Sequence, residues 1–107
     1  DTQKASILYA VEHLGVSLIM VLGHTHCGAV GAVLDGADDT ALSPLMQPIA
    51  HAIGEETDPD RASALHTMKA AEGLLADPTL GHLAQQGDLL VQPALYYTET
   101  GRIEVLR

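Results

Sequence analysis

The chain has 107 residues and a formal net charge of −9, from 5 Lys and Arg against 14 Asp and Glu. That length suits one small domain over residues 1–107, and that charge repels phosphate backbones and anionic membranes, which sets nucleic-acid binding aside. A hydrophobic content of 47% excludes a disordered chain, and no apolar run has the length of a membrane helix or the layout of a signal peptide.

Asp1 or Thr2 caps a predicted helix running to about Leu14, with Ala5, Leu8, Val11 or Glu12, and Leu14 along an approximate stripe and Gly15 as its stop. Ser17–Leu22 is a short unbroken apolar run ahead of Gly23, the pattern of a strand buried on both faces in a parallel sheet. Gly23–Gly28 reads as a polar turn, Ala29–Leu34 as a short helix and Asp35–Thr40 as a loop. Ser43 caps a helix from Pro44 to Ile53, and Glu55–Asp58 is an acidic connector. A longer helix runs from Pro59 to Ala76 with Leu65, Met68, Ala71, Leu74 and Leu75 inward, and Asp77-Pro78 ends it. Thr79–Gln86 is a further short helix, closed by Gly87. The second strand starts at Asp88 and continues through Leu89–Val91 to Ala94–Tyr96. Glu99–Gly101 is a turn, and Arg102–Leu106 alternates as a half-exposed antiparallel strand does. The layout is α–β–α–α–α–β–β. It predicts an α/β fold of three layers, a mainly parallel central sheet between helices with a C-terminal antiparallel strand. With three Tyr, no Phe and no Trp, the core is aliphatic.

Chemistry concentrates in Gly23-His24-Thr25-His26-Cys27-Gly28, where a strand ends and a helix begins. Sites in open α/β sheets gather at the carboxyl ends of strands. His24 and Cys27 carry the two side chains best suited to zinc, and their spacing lets both turn to one point from a tight loop. A thiol near a helix N-terminus is favoured as thiolate, the form that binds metal. The alternative on these residues alone is an inert buried Cys beside polar loop histidines. His26 is a further candidate ligand, although an extended turn would point it elsewhere. His13, His51, His66 and His82 read as surface or partly packed helical residues. Cys27 is the only cysteine, so no intrachain disulfide can form, and a reducing, cytoplasmic setting is expected.

Ala5–Val30, ASILYAVEHLGVSLIMVLGHTHCGAV, resembles the second half of the active-site region of β-class carbonic anhydrases. There a Tyr-Ala-Val-x-x-Leu-Gly helix leads into an apolar strand that ends in Gly-His-x-x-Cys-Gly-Ala. Gly87–Val91, Ala94–Tyr96 and Thr100–Arg102 are similar to that family's closing strands, in the same order. The resemblance implies an incomplete version of that fold. It also implies zinc held by His24 and Cys27, and reversible hydration of carbon dioxide to bicarbonate. The family's third ligand is a cysteine in an upstream Cys-x-Asp-x-Arg segment whose Asp and Arg serve the reaction, and no such segment stands here. The catalytic pair is therefore unassigned in this chain. Because the chain opens at Asp1 rather than Met, upstream material is expected to have been removed, cleaved or left unseen. The strand at 17–22 would then present a bare edge, to be covered by another copy, another chain or an upstream segment. Pro93 and Tyr97 depart from the family's usual Gly and Asp, and Pro93 is expected to mark a bulge or an edge. Two readings stand beside the enzyme: a non-catalytic interaction or oligomerisation module of the same fold, and a related zinc hydrolase of carbonyl sulfide or carbon disulfide.

Overall fold

Capping chemistry sets the helices. In the computed structural model, which describes residues 1–107, the Asp1 carboxylate accepts from the Lys4 amide to start α1 (Thr2–Leu14). Gly15, at φ 69°, ends it by donating to Ala10 O. β1 (Leu18–His24) follows and takes in Gly23 and His24, both expected in the turn. Next come α2 (Gly28–Leu34), a 3₁₀ turn at Thr40–Leu42 that the sequence does not announce, and α3 (Ser43–Ile53). Asp58 caps α4 (Pro59–Leu75) by accepting from the Arg61 amide. Asp77 caps α5 (Pro78–Gln85) by accepting from the Thr79 and Leu80 amides. β2 (Leu90–Tyr97) and β3 (Arg102–Val105) close the chain.

The sheet order is β1-β2-β3. β1 and β2 run parallel in register from Leu18↔Leu90 to His24↔Tyr96, and β3 joins β2 antiparallel from Ala94↔Val105 to Tyr97↔Arg102. This is the expected mixed sheet with an antiparallel C-terminal strand. One core cluster joins Val11 of α1, Ala71 of α4 and Leu80 of α5 to Leu89 and Val91, with Ile19 and Val21 against it. A second joins Val30, Ile49, Ile53 and Ala62 from α2, α3 and α4.

Three expectations need correction. β1 is not buried on both faces. Ile19 and Val21 pack inward, but Leu18, Met20 and Leu22 are about half exposed, as are Leu90, Ile103 and Val105 on the same side of the sheet. Second, α4 does not turn Leu65 and Leu75 inward; both are exposed, and its buried residues are Ala62, Ser63, Thr67 and Ala71. Small side chains let the helix lie close on the strands, and that closeness outranks side-chain hydrophobicity here. Third, Pro93 marks neither a bulge nor an edge. It lies in the central strand with unbroken register opposite Val21. Its carbonyl accepts from the Leu106 amide. The donor that proline cannot offer to Leu106 O is replaced by Gln92 Nε2, at 2.8 Å.

Asp77 is buried and also pairs with Lys4 Nζ at 3.0 Å, which ties α1 to the start of α5. The Leu80 amide, then Lys4, holds its carboxyl below the usual range. A carboxylate with a depressed folded pKa contributes stability that is fully present above its unfolded value, about 3.9, and lost as pH falls through the folded one. Asp77→Ala should lower the melting temperature at pH 7, and the gap to the parent should narrow as the pH is taken below about 4. Thermal unfolding across pH checks it; a gap that is constant with pH contradicts the assignment.

Candidate metal site at the carboxyl end of the first strand

β1 delivers its last residue, His24, to the strand's carboxyl end beside Tyr96. The His24 ring lies with Nδ1 2.8 Å from Thr25 O. A carbonyl only accepts, so Nδ1 carries the hydrogen and Nε2 keeps its lone pair, which is the tautomer a metal needs. The next residue, Thr25, is fully buried. His26 then takes φ 54°, the one non-glycine residue with positive φ, and the chain reverses to present Cys27. Cys27 is the N-cap of α2, half-buried, with a free thiol that makes no capping bond.

His24 and Cys27 line one cavity of about 220 Å³, whose wall includes Leu22, Val30 and, from α4, Ser63 and His66. Burial pushes the His66 imidazole below its ordinary value, so the ring is neutral near pH 7. His26 does not line that cavity. Its Nδ1 lies instead 2.9 Å from Thr98 Oγ1 and 3.1 Å from Glu99 Oε1 in the β2–β3 turn. The Glu99 carboxyl is held below the usual range, chiefly by the Thr25 hydroxyl, which donates to it at 3.0 Å, then by its own backbone amide.

The structure therefore sets two of the three candidate ligands on one cavity, while His26 shares with Cys27 a separate cavity beside Asp58 and Asp60. Nowhere do three or more His, Cys, Asp or Glu side chains converge as a metal-holding group. The two donors present fit zinc by type and by the His24 tautomer, and a catalytic zinc needs at least one more protein ligand. His66, Ser63, Thr98 and Glu99 were not legible as site residues. Placing them requires the β1–β2 register and the seat of α4. The one signal for α4 was its small-residue stripe at Ala62, Ser63, Thr67 and Ala71.

Gly23 sets that seat. A Cβ on Gly23 would overlap Thr67 Oγ1, which is anchored to Ser63 O at 2.8 Å. Gly23→Ala should cost about 1–3 kcal/mol in stability, as overpacking does. Adding Thr67→Ala should recover part of the loss, since the overlapping atom is then gone. Chemical denaturation of the three variants checks this; an additive double variant would show that the overlap is not the cause.

Residues 1–103 match a family model described as carbonic anhydrase. A carbonic anhydrase of Pseudomonas aeruginosa is 31% identical over 117 residues, taking in 96% of this chain and 52% of that protein. Among solved structures, the β-carbonic anhydrase CafA of Aspergillus fumigatus is 27% identical with a TM-score of 0.75, covering 98% of this chain and 55% of its own. One of two tetrameric β-carbonic anhydrases from Sordaria macrospora is 28% identical with a TM-score of 0.73, covering 98% and 59%. The chain thus spans about half the length of the curated relative it matches.

Proposed function

Because the chain belongs to the β-carbonic anhydrase family, we propose that it serves the zinc-dependent, reversible hydration of carbon dioxide to bicarbonate, with His24 and Cys27 as two of the metal's protein ligands. The observation that carries this reading is the meeting of those two side chains on one cavity, with the His24 Nε2 lone pair left free. Bound zinc would supply Lewis-acid activation of water for attack on the substrate carbon. This chain's own residues prepare the place for it. Thr25 O orients the imidazole, Leu22 and Val30 give the cavity an apolar wall suited to carbon dioxide, and the neutral His66 adds no positive charge beside the cation.

The remaining ligand and the Asp and Arg that serve the reaction come from outside these 107 residues, along the free edge of β1. β1 is the outer strand of the sheet, and a partner strand laid on it would end beside His24. That partner is a second copy or a further segment of polypeptide. Hydration of carbonyl sulfide or carbon disulfide would use the same ligands. The lone Cys27 supports a cytoplasmic setting, and no helix is long and apolar enough to cross a membrane.

The two-donor site favours a second reading for residues 1–107 acting by themselves, a non-catalytic interaction or oligomerisation module. Zinc content and carbon dioxide hydration separate the two. The enzyme reading expects one zinc per chain and a rate above buffer, with both abolished in Cys27→Ser; a zinc-free protein with no rate supports the module. Sizing tests the edge. Residues 1–107 should self-associate at micromolar concentration, and a stable, well-folded monomer would count against a covered β1.

A further inference from the structure

We propose that Thr25, which is buried, and Glu99, which faces solvent, are positioning residues, a clasp that fixes the directions in which His24 and Cys27 point. The part of this that concerns metal affinity rests on the reading of His24 and Cys27 as ligands.

Thr25 stands between the two candidate ligands, and every polar group it has is engaged. Its amide donates to Tyr96 O at 2.9 Å, which carries the β1–β2 pairing one residue beyond the strand. Its carbonyl accepts from His24 Nδ1 at 2.8 Å and holds that ring. Its hydroxyl oxygen accepts from the Thr98 amide at 3.0 Å and donates to Glu99 Oε1 at 3.0 Å. The residue is 0% exposed, so the side chain cannot exchange these partners for water. A rotation of the Thr25 peptide that would release His24 must therefore break bonds to β2 and to the turn at Thr98–Glu99 together.

Glu99 gathers the other side of the clasp. Its Oε1 receives the Thr25 hydroxyl, lies 3.3 Å from Thr98 Oγ1 and faces His26 Nδ1 at 3.1 Å. His26 is the residue whose left-handed backbone turns the chain toward Cys27. One carboxylate thus braces the residue after His24 and the residue before Cys27. The clasp spans more than 70 positions of sequence, |i−j| being 73 for Thr25–Thr98 and 74 for Thr25–Glu99, so it joins the loop to the far end of the fold. A loop held in this way needs no metal to keep its shape. Outer partners that orient a metal-binding His are commonly worth ten- to a hundredfold in metal affinity.

The test uses Thr25→Val, which keeps the shape and removes the hydroxyl, Thr25→Ser, which restores it, and Glu99→Ala at a solvent-facing position. In the metal-free protein, ¹⁵N spectra of the His24 ring report its tautomer. The parent and Thr25→Ser should show the Nδ1–H form, and Thr25→Val and Glu99→Ala should show a mixture. Zinc dissociation constants from chelator competition should rise about tenfold or more in Thr25→Val and Glu99→Ala and stay within about twofold in Thr25→Ser. An unchanged tautomer and an unchanged zinc affinity in both Thr25→Val and Glu99→Ala overturn the proposal. Should Thr25→Val fail to fold, Glu99→Ala decides alone. Should the parent bind no zinc, the proposed function fails, and the tautomer measurement still decides the clasp.

Discussion

The parallel pairing of β1 with β2 is the constraint on which the rest depends. Two strands separated in sequence by four helices meet over seven registered positions, Leu18↔Leu90 through His24↔Tyr96. Such a pairing has to be closed by a crossover, and α2 to α5 provide it. Once closed, it puts His24 at the carboxyl end of the sheet and Thr98 and Glu99 within hydrogen-bonding reach of Thr25. It also makes the groove into which α4 settles, where Gly23 leaves room for Thr67. A shift of one residue in this register would reverse which face of β1 meets α4 and remove Thr25 from the turn.

The charges act on this frame in one direction. His66, Asp77 and Glu99 all bind protons less readily in the fold than their ordinary values imply, His66 through burial and the two carboxyls through hydrogen bonds. Each then favours the folded state more as pH rises, His66 from below about 6.5 and the carboxyls from below about 4. Glu99 is solvent-facing, so its weight lies in the geometry it imposes on the loop more than in screened charge.

Much of this was legible locally. Asp1 and Pro59 announce helix starts and Gly15 an end, while Asp58 and Asp77, which read as a connector and a helix stop, cap the helices that follow them. These signals are short-range and act through the backbone itself. The strands, their order at the C-terminus and the His24–Cys27 pair were equally open to reading. What stayed hidden depends on contacts between distant segments. A run such as Leu18-Ile19-Met20-Val21-Leu22 does not say which face of its strand is covered. The inward face of α4 follows from how closely it lies on the sheet, so Thr67 displaced Leu65. Pro93 could be tolerated in a central strand only because Gln92 reaches Leu106 O, and that needs the β2–β3 register. His66 and Glu99 join the site through tertiary packing alone.

The open sheet face and the two-donor site are consequences of one geometric condition. Leu18, Met20 and Leu22 alternate along β1 on the uncovered side, and the free edge of the same strand terminates at His24. Backbone groups on that edge and apolar side chains on that face both gain from the same neighbour, the first by hydrogen bonds and the second by removal from water. On the reading proposed here, a strand added in parallel would run toward His24 and bring its own carboxyl end, where α/β sheets carry their functional side chains, against the cavity shared with Cys27. The clasp formed by Thr25 and Glu99 lies on the opposite side of His24, toward β2 and β3. On that same reading, the half of the site held within this chain would be preset before the other half arrives, and an incoming donor would meet an imidazole already turned to its metal-binding tautomer.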